Sequence, residues 1–235
     1  MKIDISEIAA DFPAFRVAVV VAEGLVIADG RSPVLESEIA ARAAACRTQW
    51  GGTELSQVPG IAVWRQAYRQ FGIKKTSYRC AVERLVKNVL ADRDLARING
   101  FVDAYNAVSF AHVFPLGADD LGKLEGDIAF RYARSGDTFF DMAGEGGLVE
   151  DPPKPGEVVY ADSEKILCRR WNWRQDARSL VTPATNRAVV TVQYNGHGDL
   201  DAAVADLVAL LEQECSATCR VAVADAGRPV VEVCR

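Results

Sequence analysis

The sequence predicts an α+β fold, with helices packed on mixed sheets in a single compact domain spanning residues 1–235. The first half of the chain carries apolar residues at helical spacing, and the second half carries short β-rich segments separated by Gly, Pro and Asp. About half of the residues are hydrophobic (49%) and a quarter are charged (25%), which is enough to bury a core. The chain shows no internal repeat and no long polar linker.

The N-terminal segments begin with two apolar runs, FRVAVVV (15–21) and LVIAD (25–29), separated by Glu23-Gly24. Their apolar character and the turn between them predict a buried hairpin or strand pair. Ser32-Pro33 then supplies a helix cap and a proline at the first helical position, predicting a helix that runs to about Trp50.

Three further helices are predicted in the first half. One begins at Pro59-Gly60 and ends at Gly72, with apolar residues at helical spacing between them. Ser77 is expected to cap the next, whose apolar stripe extends from Tyr78 to Leu90. FVDAYNAVSF (101–110) is expected to form the fourth.

The second half is predicted to be mostly strands. A Gly/Pro/acid-rich loop is expected at 144–156, and Asp199 is expected to cap a last helix. The predicted strands are DIAFRYA (127–133), DTFF (137–140), EVVYA (157–161), KILCR (165–169), AVVTVQY (188–194), CRVAVAD (219–225) and VVEV (230–233).

Composition excludes several classes of protein. No segment reaches the roughly 20 apolar residues that span a bilayer, and the N-terminus lacks the features of a secretory signal, so we expect a cytoplasmic protein without membrane contact. The six cysteines form no C-x-x-C pair, and there are two histidines, so we expect reduced thiols and no metal site. The glycines of the 144–156 loop lack the Gly-Lys-Ser/Thr ending of a phosphate-binding loop, and we expect no cofactor.

Charge is unevenly distributed along the chain. The net charge is −5, which argues against a generic nucleic-acid binder. Residues 65–99, however, contain nine basic and three acidic residues, and residues 165–187 contain six basic residues and one acidic residue. These segments either present a basic face to a polyanion or form solvated helix faces paired with acids from elsewhere.

The run CRRWNWRQD (168–176) admits two interpretations. If the strand of KILCR continues through it, Trp171 and Trp173 share one face, and Asn172 and Arg174 share the other. In the functional interpretation a tryptophan stacks on a base or ring, while the amide and guanidinium groups bind carbonyl or phosphate oxygens. In the structural interpretation both tryptophans lie in the core beneath stacked arginines.

Four segments in order carry a family resemblance. They are VDAYN (102–106), PLGADDLGKLEGDIAFRYARSGDTF (115–139), EVVYADSEKILCRRW (157–171) and TPATNRAVV (182–190). This order resembles the B3/B4 domain of the phenylalanyl-tRNA synthetase β subunit and its free-standing relatives. The resemblance covers about 59–194, and 1–58 and 195–235 are expected to complete the same domain.

The resemblance implies an editing function. In the synthetase this domain hydrolyses tyrosine wrongly attached to the phenylalanine tRNA, and a second hydrolytic site adds discrimination that binding alone supplies only modestly. The synthetase segment reads Pro-Leu-His-Ala-Phe-Asp, and its histidine lines the pocket. Here Gly117 occupies the histidine position, with His112 upstream as a substitute. The nearest equivalent of the pocket glutamate is either Gln175 or Asp176.

Candidate site residues follow from the residues and the resemblance together. Asn106 is a poor helix former at a helical position, and either holds the substrate ester or lies at the surface, with Asp103 orienting it. His112 is either a general base or a satisfied core histidine, and Thr185 forms the pocket floor or caps a turn. The expected catalytic residues are Asn106, His112, Arg174 and Asp176. The expected substrate-binding residues are Asp103, Gly117, Arg170, Trp171, Asn172, Trp173, Gln175 and Thr185. The expected RNA contacts are Arg65, Arg69, Lys74, Lys75 and Arg79.

The predicted function is therefore binding of tRNA or aminoacyl-tRNA and hydrolysis of a mischarged ester, by an editing deacylase that is not a full synthetase. Hydrolysis would depend on a positioned water and on Asn and Arg donors rather than on a covalent intermediate. Two alternatives stay open. One is a non-catalytic RNA- or tRNA-binding module, and the other is a protein that binds a free amino acid or small molecule and has lost its tRNA function.

Overall fold

The computed structural model describes residues 1–74, 78–142 and 147–233. The helices are α1 (Ser6–Ala9), α2 (Pro33–Trp50), α3 (Pro59–Gln70), α4 (Ala81–Leu90), α5 (Gly100–His112) and α6 (Leu200–Cys215). The strands are β1 (Lys2–Asp4), β2 (Phe15–Glu23), β3 (Leu116–Asp120), β4 (Ile128–Tyr132), β5 (Phe140–Met142), β6 (Leu148–Glu150), β7 (Val158–Ala161), β8 (Ile166–Arg169), β9 (Arg174–Gln175), β10 (Arg187–Asn195), β11 (Thr218–Ala224) and β12 (Val230–Glu232).

The strands form three sheets. A six-stranded sheet has the order β12-β1-β4-β7-β8-β9, a four-stranded sheet has the order β11-β2-β10-β3, and β5 pairs with β6. All pairs are antiparallel except β1 with β4, which is parallel. The predicted α+β fold with mixed sheets and packed helices is confirmed.

The four-stranded sheet is built around two long strands. β2 and β10 pair over nine residues, from Phe15 opposite Asn195 to Glu23 opposite Arg187. Every residue from Val17 to Ala22 is fully buried, as expected for a continuous β-branched run covered on both faces. Helices α5 and α6 pack against each other beside this sheet.

Three helices begin at a side-chain cap, and two of these caps, Ser32 and Asp199, were predicted. Ser32 Oγ accepts a hydrogen bond from the Leu35 N–H (2.9 Å) at the start of α2. Asn99 Oδ1 accepts from Val102 N–H (2.9 Å) at α5, and Asp199 Oδ1 accepts from Ala202 N–H (3.0 Å) at α6. These side chains satisfy backbone donors that have no intrahelical partner.

Four predicted segments differ in the structure. Residues 25–29 form no strand, because β10 and β11 already occupy both edges of β2; Leu25 N–H instead donates to Asn186 O (2.9 Å). Helix α4 begins at Ala81, with Cys80 at the N-cap, so Tyr78 lies before the helix; the predicted cap Ser77 lies outside the described residues.

The predicted DTFF strand begins only at Phe140, because Asp137 closes a turn onto Arg134 O and pairs with Arg131. Part of the predicted 144–156 loop, Leu148–Glu150, is the strand β6. Within the described ranges, no helix is both long enough and apolar enough to cross a membrane.

Candidate functional site

The run CRRWNWRQD forms a hairpin, so the strand of KILCR does not continue through it. β8 ends at Arg169, and β9 returns antiparallel to it, with Cys168 opposite Gln175. The turn between them contains two residues with positive φ, Arg170 (47°) and Trp171 (67°). This conformation is uncommon for non-glycine residues, and it breaks the two-residue alternation on which the prediction was based.

The hairpin sends its two tryptophans to different places. Trp171 is fully buried, with its ring 4.6 Å from that of Phe12, 4.9 Å from Phe15 and 5.2 Å from Trp64. Its ring has no face left for a ligand, so the structure places Trp171 in the core and not with the other predicted substrate-binding residues. Trp173 packs edge-on against Tyr78 at 5.1 Å, in a different environment.

Arg170 packs against two rings that contact each other. Its guanidinium is 3.8 Å from the Tyr78 ring and 4.2 Å from the Trp173 ring, and one nitrogen is 3.6 Å from Glu157. Desolvation by burial lowers the pKa of Arg170. It does not line the cavity described next, so the structure gives Arg170 a packing role beneath Trp173.

A cavity of about 160 Å³ lies where the hairpin meets β3, β10 and α5, and its largely apolar wall carries amide, carboxyl and hydroxyl groups. Six of the predicted site residues line it: Asn106, Gly117, Asn172, Trp173, Arg174 and Gln175. The remaining lining residues are Ala81, Tyr105, Leu116, Ala118, Asp119, Tyr160, Leu167, Cys168, Thr191 and Gln193. We call this the polar cavity.

A chain of side-chain hydrogen bonds, made by two amides and two hydroxyls, orients Asn172. Tyr68 Oη donates to Asn172 Oδ1 (2.9 Å), and Asn172 Nδ2 donates to Gln193 Oε1 (3.0 Å). Gln193 Nε2 in turn donates to Thr191 Oγ1 (3.2 Å). Because Asn172 Nδ2 has a second N–H, the residue retains one donor for a ligand oxygen.

Asp119 places a carboxyl group in the wall of the polar cavity. It is 2% exposed, and its Oδ1 accepts hydrogen bonds from Ser179 Oγ (2.6 Å) and Gln175 Nε2 (2.8 Å). Burial raises the pKa of Asp119 to about 7, and the two hydrogen bonds only partly oppose this shift. A carboxyl group with this pKa exchanges its proton near neutral pH.

Two tyrosines complete the wall. Tyr160 is 3% exposed, and its hydroxyl has no hydrogen-bond partner among the described residues. Burial, the largest cause, and the charge of Asp119 raise the pKa values of both Tyr160 and Tyr105. Burying a hydroxyl without a hydrogen-bond partner costs free energy, so the Tyr160 hydroxyl suits a ligand that supplies such a partner.

Gly117 leaves room in the cavity. A Cβ built at this position would meet no atom within 4 Å. The structure therefore has space where the resembling synthetase segment carries histidine.

Two predicted substrate-binding residues hold loops instead. The Asp103 carboxylate accepts from Arg31 Nε (2.7 Å) and from the Ile98 N–H (3.3 Å). Thr185 Oγ1 donates to Asp120 Oδ2 (2.7 Å) and accepts from Thr182 N–H (3.0 Å). Neither residue lines the polar cavity, because their polar atoms are directed to neighbouring turns.

Two predicted catalytic residues also lie outside the cavity. His112 Nε2 lies 2.8 Å from Asp206 Oδ2, so the ring faces α6. Asp176 is fully buried, and its carboxylate binds Arg178 (Nε 2.8 Å, Nη2 2.7 Å) and the Phe140 N–H (2.9 Å). The structure therefore does not bring His112 and Asp176 together with Asn106 and Arg174 at the polar cavity.

The predicted RNA contacts gather at a second cavity of about 110 Å³, the basic cavity. Arg65, Arg69, Lys74 and Arg79 line it, and Lys75 lies outside the described residues. Its other lining residues are Trp64, Tyr68, Ile73, Tyr78, Cys80 and Glu83. Glu83, 1% exposed, binds Arg65 (2.6 Å) and Arg79 (2.6 Å), which offsets part of the positive charge.

Sequence reasoning missed three lining residues of the polar cavity, Asp119, Tyr160 and Gln193. Asp119 carried a signal, since it follows Gly117 by two residues and would share its face of a strand. It also stands where the synthetase segment has phenylalanine. Tyr160 and Gln193 carried none, because their strands contact the cavity only through tertiary packing. In the described ranges, no group of three or more His, Cys, Asp or Glu side chains is arranged to hold a metal ion.

Comparison with known proteins identifies the family. The family model of the B3/4 domain matches residues 63–198, more than half of the chain. The phenylalanine–tRNA ligase β subunit of Fusobacterium nucleatum is 37% identical over 82 residues, which are 35% of this chain and 10% of that protein. An N-terminal fragment of the phenylalanyl-tRNA synthetase β subunit from Pyrococcus horikoshii overlaps 93% of this chain and 50% of its own, at 12% identity and a TM-score of 0.48.

The chain thus spans a tenth of the curated relative and half of that fragment. The family match over 63–198 confirms the resemblance predicted from the four ordered segments. This chain belongs to the B3/4 domain family.

Proposed function

We propose that this protein binds aminoacyl-tRNA and hydrolyses the ester bond of a mischarged amino acid. One observation carries the proposal: a polar cavity adjoins a cavity lined by four basic residues. Family membership supports a tRNA-related role, since a curated relative is named as a phenylalanine–tRNA ligase subunit.

The two cavities are joined through a common wall. Tyr68 lines the basic cavity, and its hydroxyl donates to Asn172 of the polar cavity. Tyr78 of the basic cavity touches Trp173 of the polar cavity through their rings. An RNA end bound at one cavity is therefore close to the other.

The proposal divides the ligand between the cavities. Arg69 and Lys74 bind backbone phosphates, which position RNA without reading its sequence. The aminoacyl group enters the polar cavity, where Asn172 and Arg174 donate to the ester carbonyl and stabilise the negative charge that develops on its oxygen.

Water is the proposed nucleophile. It adds to the carbonyl carbon, the bond to the ribose oxygen breaks, and the amino acid and free tRNA leave. Cys168 lines the cavity, but burial raises the pKa of its thiol, so the thiolate needed for covalent catalysis is disfavoured. Histidine is absent from the lining residues of the polar cavity.

A second candidate is binding of a free amino acid without tRNA. The buried Glu83 pairs with both Arg65 and Arg79, and the net charge is −5. Both features reduce attraction for a polyanion, so they favour small-molecule binding.

The test is deacylation of a panel of aminoacyl-tRNAs, including tyrosyl- and phenylalanyl-tRNA(Phe), by the purified chain. We expect selective release of one amino acid, strongly reduced by Arg174→Ala. Arg134→Ala is the matched control, because Arg134 is an exposed arginine paired with Glu7 and lies outside both cavities. Arg69→Ala and Lys74→Ala should weaken tRNA binding and flatten its salt dependence.

The other outcomes separate the alternatives. Binding of tRNA without release would indicate a non-catalytic module. Absence of both binding and release would contradict a tRNA function and favour the small-molecule candidate.

A further inference from the structure

Asp119 carries an oxygen available to a ligand. Oδ1 accepts from Ser179 and Gln175, whereas Oδ2 has no hydrogen-bond donor within the part of the chain that the structure describes. The residue lines the polar cavity while being 2% exposed. A ligand in this cavity therefore meets a carboxylate oxygen that the protein leaves unsatisfied.

The protein also leaves this carboxyl group without a counter-ion. Among the described residues, no Arg, Lys or His forms an ion pair with Asp119. The ammonium of Lys165, which acts on Asp119 from a distance, is engaged by Asp162 (2.7 Å) and by Lys123 O (2.7 Å). A buried carboxylate without a counter-ion is unfavourable even when it accepts hydrogen bonds, so a cationic ligand would stabilise its charged form.

The rest of the wall suits a cation. Tyr105 and Tyr160 present aromatic groups to the same cavity, whereas the Trp173 ring already lies against the guanidinium groups of Arg170 and Arg174. Ammonium groups are attracted to aromatic faces, and more strongly where water is excluded. The unpartnered hydroxyl of Tyr160 adds an acceptor for an ammonium N–H.

We propose that Asp119, assisted by Tyr160, binds a primary ammonium group, and that the ligand of the polar cavity is an amine such as an amino acid with a free α-ammonium. The inference uses the same cavity as the proposed function but does not require tRNA or hydrolysis. On an aminoacyl ester, this contact would select a free α-amino group over an acylated one.

Binding should depend on pH. A cation binds the ionised carboxylate, so affinity rises as pH rises through the pKa of Asp119, which is about 7. The ionisable groups around it are Tyr105, Tyr160, Cys168 and Arg174 on the cavity wall, and Asp162 and Lys165 behind it. Burial raises the pKa values of the tyrosines and of Cys168, and Arg174 pairs with Asp141, so Asp119 is the group that titrates near neutrality.

The experiment uses 2-phenylethylamine and its neutral analogue 2-phenylethanol, titrated calorimetrically into the full chain. The amine stays protonated up to about pH 9, because alkylammonium groups resemble lysine, whose pKa is about 10.4. We expect the amine to bind at least tenfold more tightly than the alcohol at pH 8. Its affinity should fall about tenfold between pH 8 and pH 6, as Asp119 takes up a proton.

Asp119→Asn is the decisive variant. It should remove both the preference for the amine and the pH dependence, whereas Glu164→Gln, which removes the same charge at an exposed position, should change neither. If Asp119→Asn does not fold, the wild-type comparison of amine with alcohol across pH still tests the proposal. Equal binding of amine and alcohol, no amine binding at millimolar concentration, or an unchanged pH profile in Asp119→Asn would overturn it. Amine selectivity without deacylation would uphold this inference while the proposed hydrolysis fails.

Discussion

At the scale of single residues, two buried acids show how environment assigns different roles to the same side chain. Asp176 and Asp119 are both at least 98% buried. Asp176 is neutralised by Arg178 and accepts the Phe140 N–H, so it stabilises the fold. Asp119 has hydrogen bonds but no ion-pair partner in the described chain, so it remains available for ligand chemistry.

The ion pair and hydrogen bond of Asp176 predict that its loss destabilises the fold more than the loss of Arg174 does. Asp176→Ala leaves the Phe140 N–H and the Arg178 guanidinium without their acceptor, and it should lower the free energy of unfolding by at least about 2 kcal/mol. Arg174→Ala removes an arginine whose side chain is 39% exposed, and it should cost less than about 1 kcal/mol.

Urea denaturation of both variants and the wild type measures the difference. Equal stability of Asp176→Ala and wild type would contradict the structural role assigned to Asp176. It would restore the catalytic role that the sequence had suggested for this residue.

At the scale of elements, the β8–β9 hairpin links the core to the polar cavity. Its turn inserts Trp171 among Phe12, Phe15 and Trp64, and it places the next two residues, Asn172 and Trp173, in the cavity wall. The packing of one side chain therefore holds the position of the binding residues that follow it.

Trp171→Ala tests this link. Truncating a fully buried tryptophan should cost about 3–5 kcal/mol. Trp173→Ala is the matched control: its ring is only partly buried, so the loss should be smaller. Chemical denaturation measures both, and a larger loss for Trp173→Ala would contradict the placement of the two rings.

Helices and strands were predicted correctly where the local sequence signal is strong. They were predicted wrongly where pairing with a distant strand determines the structure. The caps Ser32 and Asp199 marked their helices because capping is a local hydrogen bond. LVIAD has the composition of a strand, but it finds no free edge on β2. Sheet pairing depends on distant segments, so composition alone does not assign a partner.

At the scale of the whole molecule, β2 joins the N-terminal segment to the family-matched part. It lies between β11 and β10, and β1 pairs with both β4 and β12. We propose on this basis that residues 1–58 and 195–235 complete one domain with the part that the family model matches. The fold of the matched part then depends on strands at both ends of the chain.

Deletion of residues 1–58 tests the proposal. It removes β2 and leaves buried residues of β10, including Val189 and Val190, without their neighbours. We expect an insoluble or unfolded product, measured by circular dichroism and thermal melting, and rescue when 1–58 is co-expressed. A soluble 59–235 fragment with a cooperative melt would show instead that the N-terminal segment is dispensable.

The sequence by itself determined the α+β class, most helices, most strands and the family, because these depend on local periodicity, capping and ordered motifs. It also identified six residues of the polar cavity and four of the basic cavity. Only the tertiary structure decided that His112 and Asp176 lie elsewhere, that Trp171 is in the core, and that Asp119 lines the polar cavity. The physical reason is that burial, partner choice and pKa depend on segments far apart in the chain, which a single sequence does not bring together.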